Sequence, residues 1–146
     1  MTKPLTLTQT IELDSLGATA AFARDFALTL RAGDVVALEG DLGAGKTTLV
    51  RAIVDAMGGD PTQVSSPTFV LQHEYSTPNL RVFHLDAYRI DASQLQAIGF
   101  EELLKEGGVT LIEWPGKVAS AIPADARYLR LSVTGESARR VEVFAP

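Results

Sequence analysis

One nine-residue stretch constrains this chain more than any other, because residues 40–48 read GDLGAGKTT. This stretch fits the G-x-x-x-x-G-K-[ST] pattern at every fixed position. The apolar residues 35–38 precede it and are typical of a strand buried on both faces. Apolar residues on one face follow it and predict a helix that ends near Gly58-Gly59. The sequence therefore predicts a strand, a glycine-rich loop and a helix in that order.

A loop of this kind binds phosphate groups for physical reasons. Glycines let the backbone turn tightly, so that its N–H groups reach phosphate oxygens, and the helix N-terminus adds partial positive charge. Within this pattern, Lys46 is predicted to bridge the terminal phosphates of a nucleotide. The hydroxyl of Thr47 is predicted to ligate Mg²⁺.

Length and composition favour one ordinary globular domain. The 146 residues are most consistent with a single domain, residues 1–146, and 46% hydrophobic with 21% charged residues is typical of a soluble protein. No apolar run approaches the ~18 residues that cross a bilayer, and the N-terminus lacks a signal-peptide core. With no cysteine, disulfides and thiolate metal sites are excluded. We therefore expect a cytoplasmic protein without a membrane partner.

The charge balance bears on nucleic acids. The net charge is −5, the 13 Lys and Arg residues are scattered, and Arg139-Arg140 is their only adjacent pair. Proteins that bind nucleic acid directly usually carry a basic patch or stripe. A role with RNA or DNA is therefore expected to be mostly indirect.

The rest of the chain alternates strand and helix patterns. Residues 5–14 predict a half-buried strand at a sheet edge. A helical stripe runs from Leu16 to Leu30 behind a Ser15 cap. Hairpins are predicted from residues 69–85 and 128–144, and another buried strand from residues 109–112. The predicted fold is α/β, a P-loop NTPase-like three-layer sandwich with a mixed parallel and antiparallel sheet.

A phosphate-binding loop that uses Mg²⁺ needs a second acid at the end of a neighbouring strand. Asp86 is the first candidate, because the apolar-leaning residues 82–85 lead into it. The alternative is that Asp86 is only a turn or helix-start aspartate.

Thr68 is a candidate through the first hairpin. A turn centred near Thr77-Pro78 would place Thr68 opposite Asp86, at the open end of the hairpin. Thr68 would then sense the terminal phosphate or Mg²⁺ from a mobile loop. The alternative, equally favoured by the residues alone, is that Thr68 simply begins a strand after Pro67.

Glu113 and Trp114 follow the strand of residues 109–112. Ligands of open α/β sheets lie beyond the carboxyl ends of strands, so Glu113 is a candidate to join the metal shell or orient the attacking water. The alternative is a surface glutamate before a turn. Trp114, the only tryptophan, either shields phosphates or contacts a partner, or is a core aromatic.

The other charged candidates are weaker. For His73 and His84 a structural role is favoured over ligation of a metal. Arg89, Arg139 and Arg140 are candidates for an arginine that stabilises developing charge, although solvated surface charge is the commoner interpretation.

Taken together, these motifs resemble the TsaE (YjeE) family, the small bacterial P-loop ATPases of tRNA threonylcarbamoyladenosine synthesis. GDLGAGKTT at residues 40–48 is followed by SSPTF at 65–69, HLDAYR at 84–89 and IEWP at 112–115. Order, spacing and total length agree, so the resemblance covers essentially the whole chain. One departure is Gly116, where many members carry Glu or Gln.

The resemblance implies a role for each matching residue. Thr47, Asp86 and Glu113 are expected to serve Mg²⁺, and Lys46, Asp86, Glu113, Thr68 and Trp114 to form the catalytic region. The expected nucleotide contacts are Leu42, Gly43, Ala44, Gly45, Lys46, Thr47 and Thr48. The implied activity is slow Mg²⁺-dependent hydrolysis of ATP to ADP, activated by the partner proteins TsaD and TsaB. Contact with tRNA is expected mostly through that complex.

Two other function classes share this scaffold. A small-molecule kinase would need a lid and an acceptor pocket, and the short chain shows no Arg-rich lid segment. A GTP-dependent switch would resemble the N/T-K-x-D guanine pattern, which does not occur here.

Overall fold

A computed structural model describes residues 4–41, 43–65 and 72–146, and the strands of this part of the chain form one seven-stranded sheet. Their order across the sheet is β1-β7-β6-β2-β5-β4-β3. The strands are β1 (Thr6–Leu13), β2 (Val35–Glu39), β3 (Gln72–Ser76), β4 (Arg81–Asp86), β5 (Val109–Glu113), β6 (Arg127–Val133) and β7 (Arg139–Ala145).

The centre of the sheet is parallel and its flanks are antiparallel. Strand β2 pairs in parallel with β5 and β6, and β4 pairs in parallel with β5. Strand β3 is antiparallel to β4, and β7 is antiparallel to both β6 and β1. The predicted mixed sheet and the predicted edge position of β1 are confirmed. The carboxyl ends of the parallel strands β2, β4 and β5 lie side by side at one end of the sheet, and the site lies there.

Helices cover both faces of the sheet, as the predicted three layers require. They are α1 (Leu16–Ala27), α2 (Lys46–Ala56), α3 (Ala92–Ala97) and α4 (Phe100–Leu104), with 3-10 segments at Pro61–Gln63 and Pro115–Ala121. One core holds Phe22 of α1 and Ile53 of α2, and the other holds Leu95 of α3 and Phe100 of α4. Successive residues of β5 enter different cores, because side chains alternate across a strand. None of the described helices is long and apolar enough to span a membrane.

The termini of the helices follow the predicted signals, with one difference. The Ser15 hydroxyl accepts a hydrogen bond from Ala18 N at 3.0 Å, so the predicted N-cap of α1 is confirmed. Helix α1 ends at Ala27, earlier than the predicted stripe, although Leu30 still packs in the core. Helix α2 ends before Gly58, whose φ of 87° is left-handed.

The predicted register of the first hairpin is wrong by three residues. Gln72 lies opposite Leu85, whereas a turn centred near Thr77-Pro78 would have paired it with Val82. The turn is centred between Pro78 and Asn79, and the Thr77 hydroxyl stabilises it by accepting a hydrogen bond from Leu80 N at 3.1 Å and donating to Leu80 O. The reason for placing Thr68 opposite Asp86 therefore fails, and Thr68 itself lies outside the described residues.

Candidate active site

Three parallel strands bring the acids and the loop to one cavity. Asp86 and Glu113 are paired at the ends of β4 and β5, and Leu38 of β2 pairs with Glu113 just before the loop. A cavity of about 610 Å³ opens at this edge. Its lining residues are Gly43, Gly45, Lys46, Thr47, Thr48, Asp86, Tyr88, Arg89, Glu113, Trp114 and Arg139.

Two glycines shape the loop. Gly40 has a φ of 152°, and a Cβ on it would lie 3.0 Å from the carbonyl oxygen of Leu131 and 3.1 Å from Ala44 Cβ. Gly45 has a φ of 97° and immediately precedes the first residue of α2. Both positions favour glycine, since other residues rarely adopt such dihedral angles. This geometry sets Lys46 and Thr47 in the first turn of α2, where backbone N–H groups lack helical partners.

Lys46 is buried at the centre of the site. Its side chain donates from Nζ to Gly40 O at 2.6 Å, and Nζ lies 3.4 Å from the centroid of the Trp114 ring. Burial lowers the pKa of Lys46, while the carboxylates of Glu113, Asp86 and Asp41 oppose that effect. An ammonium group that has lost most of its hydration interacts strongly with an incoming anion.

Asp86 lies half-buried at the floor of the cavity. Its Oδ1 accepts a hydrogen bond from Tyr88 N at 2.9 Å. Burial raises the pKa of Asp86, and repulsion from Glu113 adds to this, although the Tyr88 N–H and the charge of Lys46 oppose it. Two neighbouring carboxylates beside a phosphate loop favour binding of a cation together with the phosphates.

Glu113 is 3% exposed, so the interpretation as a surface glutamate is wrong. Its Oε2 lies 2.6 Å from Nε2 of His84, which is fully buried. Sequence patterns favoured a structural role for His84 and did not predict its contact with Glu113. The signal was present in the sequence, because His84 precedes Asp86 by two residues and so shares its face of β4.

Trp114 lies at the cavity rather than in the core. Its φ of 59° and ψ of 53° are left-handed, an uncommon conformation outside glycine. The indole ring faces Lys46 and lies 4.8 Å, centroid to centroid, from the ring of Tyr88. Trp114 is therefore not a core aromatic, and its shielding of phosphates or contact with a partner stays a prediction.

The three arginine candidates have different positions. Arg139 donates from Nη2 to Gly43 O at 3.3 Å and lines the cavity. It is therefore more than a solvated surface charge, because it contacts the glycine-rich loop. Arg89 is exposed at the cavity rim. Arg140 instead pairs with Glu12 at 2.7 Å on the surface, away from the site.

A second cavity of about 270 Å³ adjoins the first. It shares Gly45, Thr48 and Arg139 with the larger cavity, and helix α1 forms its other side. Its remaining lining is mainly apolar: Leu13, Asp14, Ser15, Leu16, Thr19, Ala44, Leu49, Leu131 and Ser137. A charged cavity and a mainly apolar cavity therefore adjoin at the start of α2, where they share lining residues.

The profile of the family described as "Threonylcarbamoyl adenosine biosynthesis protein TsaE" matches residues 13–141. The chain belongs to the TsaE family.

Relatives within the TsaE family are similar over most of the chain. A tRNA threonylcarbamoyladenosine biosynthesis protein TsaE of Rickettsia bellii is 38% identical over 132 residues, which are 90% of each chain. The protein of the same name from Bacillus subtilis is 33% identical over 127 residues, 87% of this chain and 79% of its own. The crystal structure of Bacillus subtilis YdiB superimposes with a TM-score of 0.78 at 26% identity, over 98% of this chain and 88% of that one.

The structure brings most of the expected TsaE-type site residues together. Lys46, Thr47, Asp86, Glu113 and Trp114 line one cavity. The remaining loop positions Gly43, Gly45 and Thr48 also line it, and Ala44 lines the smaller cavity. Leu42 and Thr68 lie outside the described residues.

Proposed function

We propose that this TsaE-family chain binds ATP with Mg²⁺ and hydrolyses it slowly in support of tRNA threonylcarbamoyladenosine formation. The observation that carries the proposal is the convergence of Lys46, Asp86 and Glu113 on one cavity beside the glycine-rich loop. A lysine, two carboxylates and a helix N-terminus around one cavity are what phosphoryl transfer to water requires.

The two adjoining cavities suit the two ends of a nucleotide. The larger one carries Lys46 and the N-terminus of α2, which favour the phosphates. The smaller one is mainly apolar with a few hydroxyl groups, among them Thr19 and Ser137, which favours a base. Arg139 lines both cavities, so its guanidinium can contact a phosphate between them.

The residues at the site fit Mg²⁺ bound together with phosphates. Among the described residues, no cluster of three or more His, Cys, Asp or Glu side chains could hold a metal by itself. Thr47, Asp86 and Glu113 offer oxygen donors, and Mg²⁺ usually combines one or two carboxylates with water and phosphate oxygens. When bound, Mg²⁺ neutralises charge on the terminal phosphates.

The side chains of the chain then have distinct tasks. Lys46 Nζ exchanges its contacts with Gly40 O and Trp114 for oxygens of the terminal phosphate, where it offsets developing charge. Glu113 accepts a hydrogen bond from the attacking water and so orients it toward phosphorus. The water oxygen forms a bond to the terminal phosphorus while the bond to the ADP oxygen breaks, which gives ADP and phosphate. One proton of the water stays on the phosphate product and the other is released to solvent.

The partners of this activity are proposed from the family. The relatives in Rickettsia bellii and Bacillus subtilis are named as tRNA threonylcarbamoyladenosine biosynthesis proteins. We propose that this chain acts on a TsaD–TsaB complex, which makes most of the contact with tRNA. The net charge of −5 is in keeping with an indirect role toward RNA.

ATPase measurements with and without TsaD, TsaB and tRNA test the proposed function. We expect slow phosphate release from the isolated chain and faster release in the presence of the partners. A chain that binds neither nucleotide nor these proteins would contradict the proposal. Transfer of phosphate to an added nucleoside or sugar would indicate a small-molecule kinase, and preference for GTP over ATP would indicate a switch protein.

Nucleotide binding should be visible in the fluorescence of Trp114. Because this is the only tryptophan and Lys46 lies on its ring, removal of the ammonium by phosphate changes the surroundings of the indole. We expect the emission to change in a saturable way when MgATP is titrated, and to remain constant with Mg²⁺ alone. Emission that does not respond to saturating MgATP would contradict the proposed movement of Lys46.

Filling the smaller cavity should weaken ATP binding selectively. Thr19→Phe adds an aromatic ring to a space of about 270 Å³. Overpacking of this kind costs about 1–3 kcal/mol, so we expect the Kd for ATP to rise about 5- to 150-fold. Binding of inorganic tripolyphosphate, which has no base, should change little. The matched control is Leu28→Phe, at an exposed position just beyond α1. Equal weakening of both ligands by Thr19→Phe would place the base elsewhere.

A further inference from the structure

We propose that His84 is a positioning residue that orients the carboxylate of Glu113, with Tyr75 fixing His84 in turn. The three side chains come from the neighbouring strands β5, β4 and β3, so the chain of contacts runs across the sheet away from the cavity. The inference rests on the proposed function, because it concerns the residue assigned to orient the attacking water.

The contacts are short and lie inside the protein. His84 Nε2 lies 2.6 Å from Glu113 Oε2, and His84 Nδ1 lies 3.0 Å from the Tyr75 hydroxyl. His84 is fully buried, and Glu113 and Tyr75 are each 3% exposed. In such surroundings a hydrogen bond is stronger than in water, and a lost partner costs more.

Proton counting sets the direction of each hydrogen bond. An ionised carboxylate only accepts, so His84 donates from Nε2 to Glu113, and in the tautomer that we propose Nδ1 carries no proton and is an acceptor. Burial raises the pKa of Tyr75, so its hydroxyl keeps the proton that it donates to Nδ1. That proton favours His84 at 3.0 Å over the carbonyl oxygen of Ser65 at 3.4 Å. His73, whose Nδ1 lies 3.3 Å from the same hydroxyl, can donate to it.

This arrangement leaves one carboxylate oxygen for the reaction. Oε2 of Glu113 is engaged by His84, and Oε1 remains for the water in the cavity that Glu113 lines. With Oε2 held, rotation of the carboxylate is restricted, which preserves the orientation that the attacking water needs. Carboxylates at metal sites are commonly held by hydrogen-bonding partners behind them, which fix their orientation in the same way.

Matched substitutions of His84 separate its two ring nitrogens. The amide nitrogen of His84→Gln can occupy the place of Nε2 and donate to Glu113, whereas that of His84→Asn reaches only the place of Nδ1. For His84→Asn we expect kcat for ATP hydrolysis to fall about 10- to 100-fold, with KM for ATP changed less than about twofold. His84→Gln should recover most of kcat, and Tyr75→Phe, which removes one hydroxyl, should give an intermediate value.

A double-substitution cycle tests whether His84 acts through Glu113. In the Glu113→Ala background, His84→Asn should reduce kcat no further, since the group that it positions is gone. If His84→Asn reduced kcat by the same factor in the wild-type and Glu113→Ala proteins, the inference would be overturned. Wild-type kcat in His84→Asn, or equal losses in the Asn and Gln variants, would also overturn it.

Nuclear magnetic resonance provides a readout that needs neither nucleotide nor metal. With the ring nitrogens of the protein labelled by ¹⁵N, His84 should show a protonated Nε2 with a strongly downfield proton and an unprotonated Nδ1. The downfield resonance should vanish in Glu113→Ala. These measurements use the wild-type ring, so they remain decisive if His84→Asn fails to fold, and an Nδ1-protonated tautomer would overturn the inference. A wild-type chain that shows the resonance but does not hydrolyse ATP would instead contradict the proposed function.

Discussion

Lys46→Ala is expected to reduce ATP hydrolysis to background while leaving a folded protein. The ammonium lies in the first turn of α2, desolvated, beside the cavity that carries Asp86 and Glu113. Loss of a preorganised group that stabilises transition-state charge costs on the order of 10²- to 10³-fold in kcat. Phosphate release measured at saturating MgATP tests this, and unchanged hydrolysis would remove Lys46 from the site.

The fold should tolerate Lys46→Ala because two effects oppose each other. The variant loses the hydrogen bond to Gly40 O, but it also removes a charge that is costly to bury. Burial lowers the pKa of Lys46 in the folded chain below the 10.5 of the unfolded chain. At pH values between the folded and unfolded pKa, the unfolded chain therefore binds more protons than the folded chain. Wild-type stability therefore gains from this residue as pH rises through that interval, and the gain is absent in the variant.

Urea unfolding at several pH values measures the effect of Lys46→Ala on stability separately from its effect on hydrolysis. We expect similar unfolding midpoints for the wild-type and Lys46→Ala proteins near neutral pH, and a relative gain for the wild type at alkaline pH. The matched control is Lys105→Ala, at an exposed lysine just after α4, which should change neither hydrolysis nor the midpoint. A variant that fails to fold would show that Lys46 is mainly structural.

Local rules were sufficient to predict the centre of the fold. The buried strand, the glycine-rich loop and helix α2 each have a signal in adjacent residues, and the parallel strand ends then bring Asp86 and Glu113 together. The mixed sheet followed from two hairpin patterns beside this parallel centre. These features were predictable because each depends on periodicity or on residues with special backbone geometry.

Features that depend on side-chain contacts were not predictable in the same way. The first hairpin has a shifted register because the Thr77 hydroxyl bonds to the backbone of Leu80, which counting along the chain does not reveal. Arg139 reaches the loop from β7, nearly a hundred residues away in sequence. The left-handed backbone of Trp114, which brings its ring over Lys46, has no signal of the kind that glycine provides.

Asp86→Asn is expected to abolish hydrolysis and to stabilise the fold at neutral pH. Loss of the carboxylate that we propose to bind Mg²⁺ removes several kcal/mol of transition-state stabilisation, which corresponds to a loss on the order of 10²-fold or more in kcat. The folded-state pKa of Asp86 is raised above 3.8, mainly by burial, so the folded chain binds more protons than the unfolded chain between these values. Stability contributed by the protonated acid is therefore lost as pH rises through this interval.

The asparagine variant avoids that loss because its side chain is neutral at every pH. Its Oδ1 can still accept the hydrogen bond from Tyr88 N, so the local turn is kept. Urea unfolding should therefore give a higher midpoint for the variant at pH 7, and the difference should shrink as pH falls toward 3.8. Asp125→Asn, at an exposed position outside the cavity, is the matched control and should match the wild type in both assays. A variant that is less stable at pH 7 would mean that the attraction of Lys46 for Asp86 outweighs the cost of burying its charge.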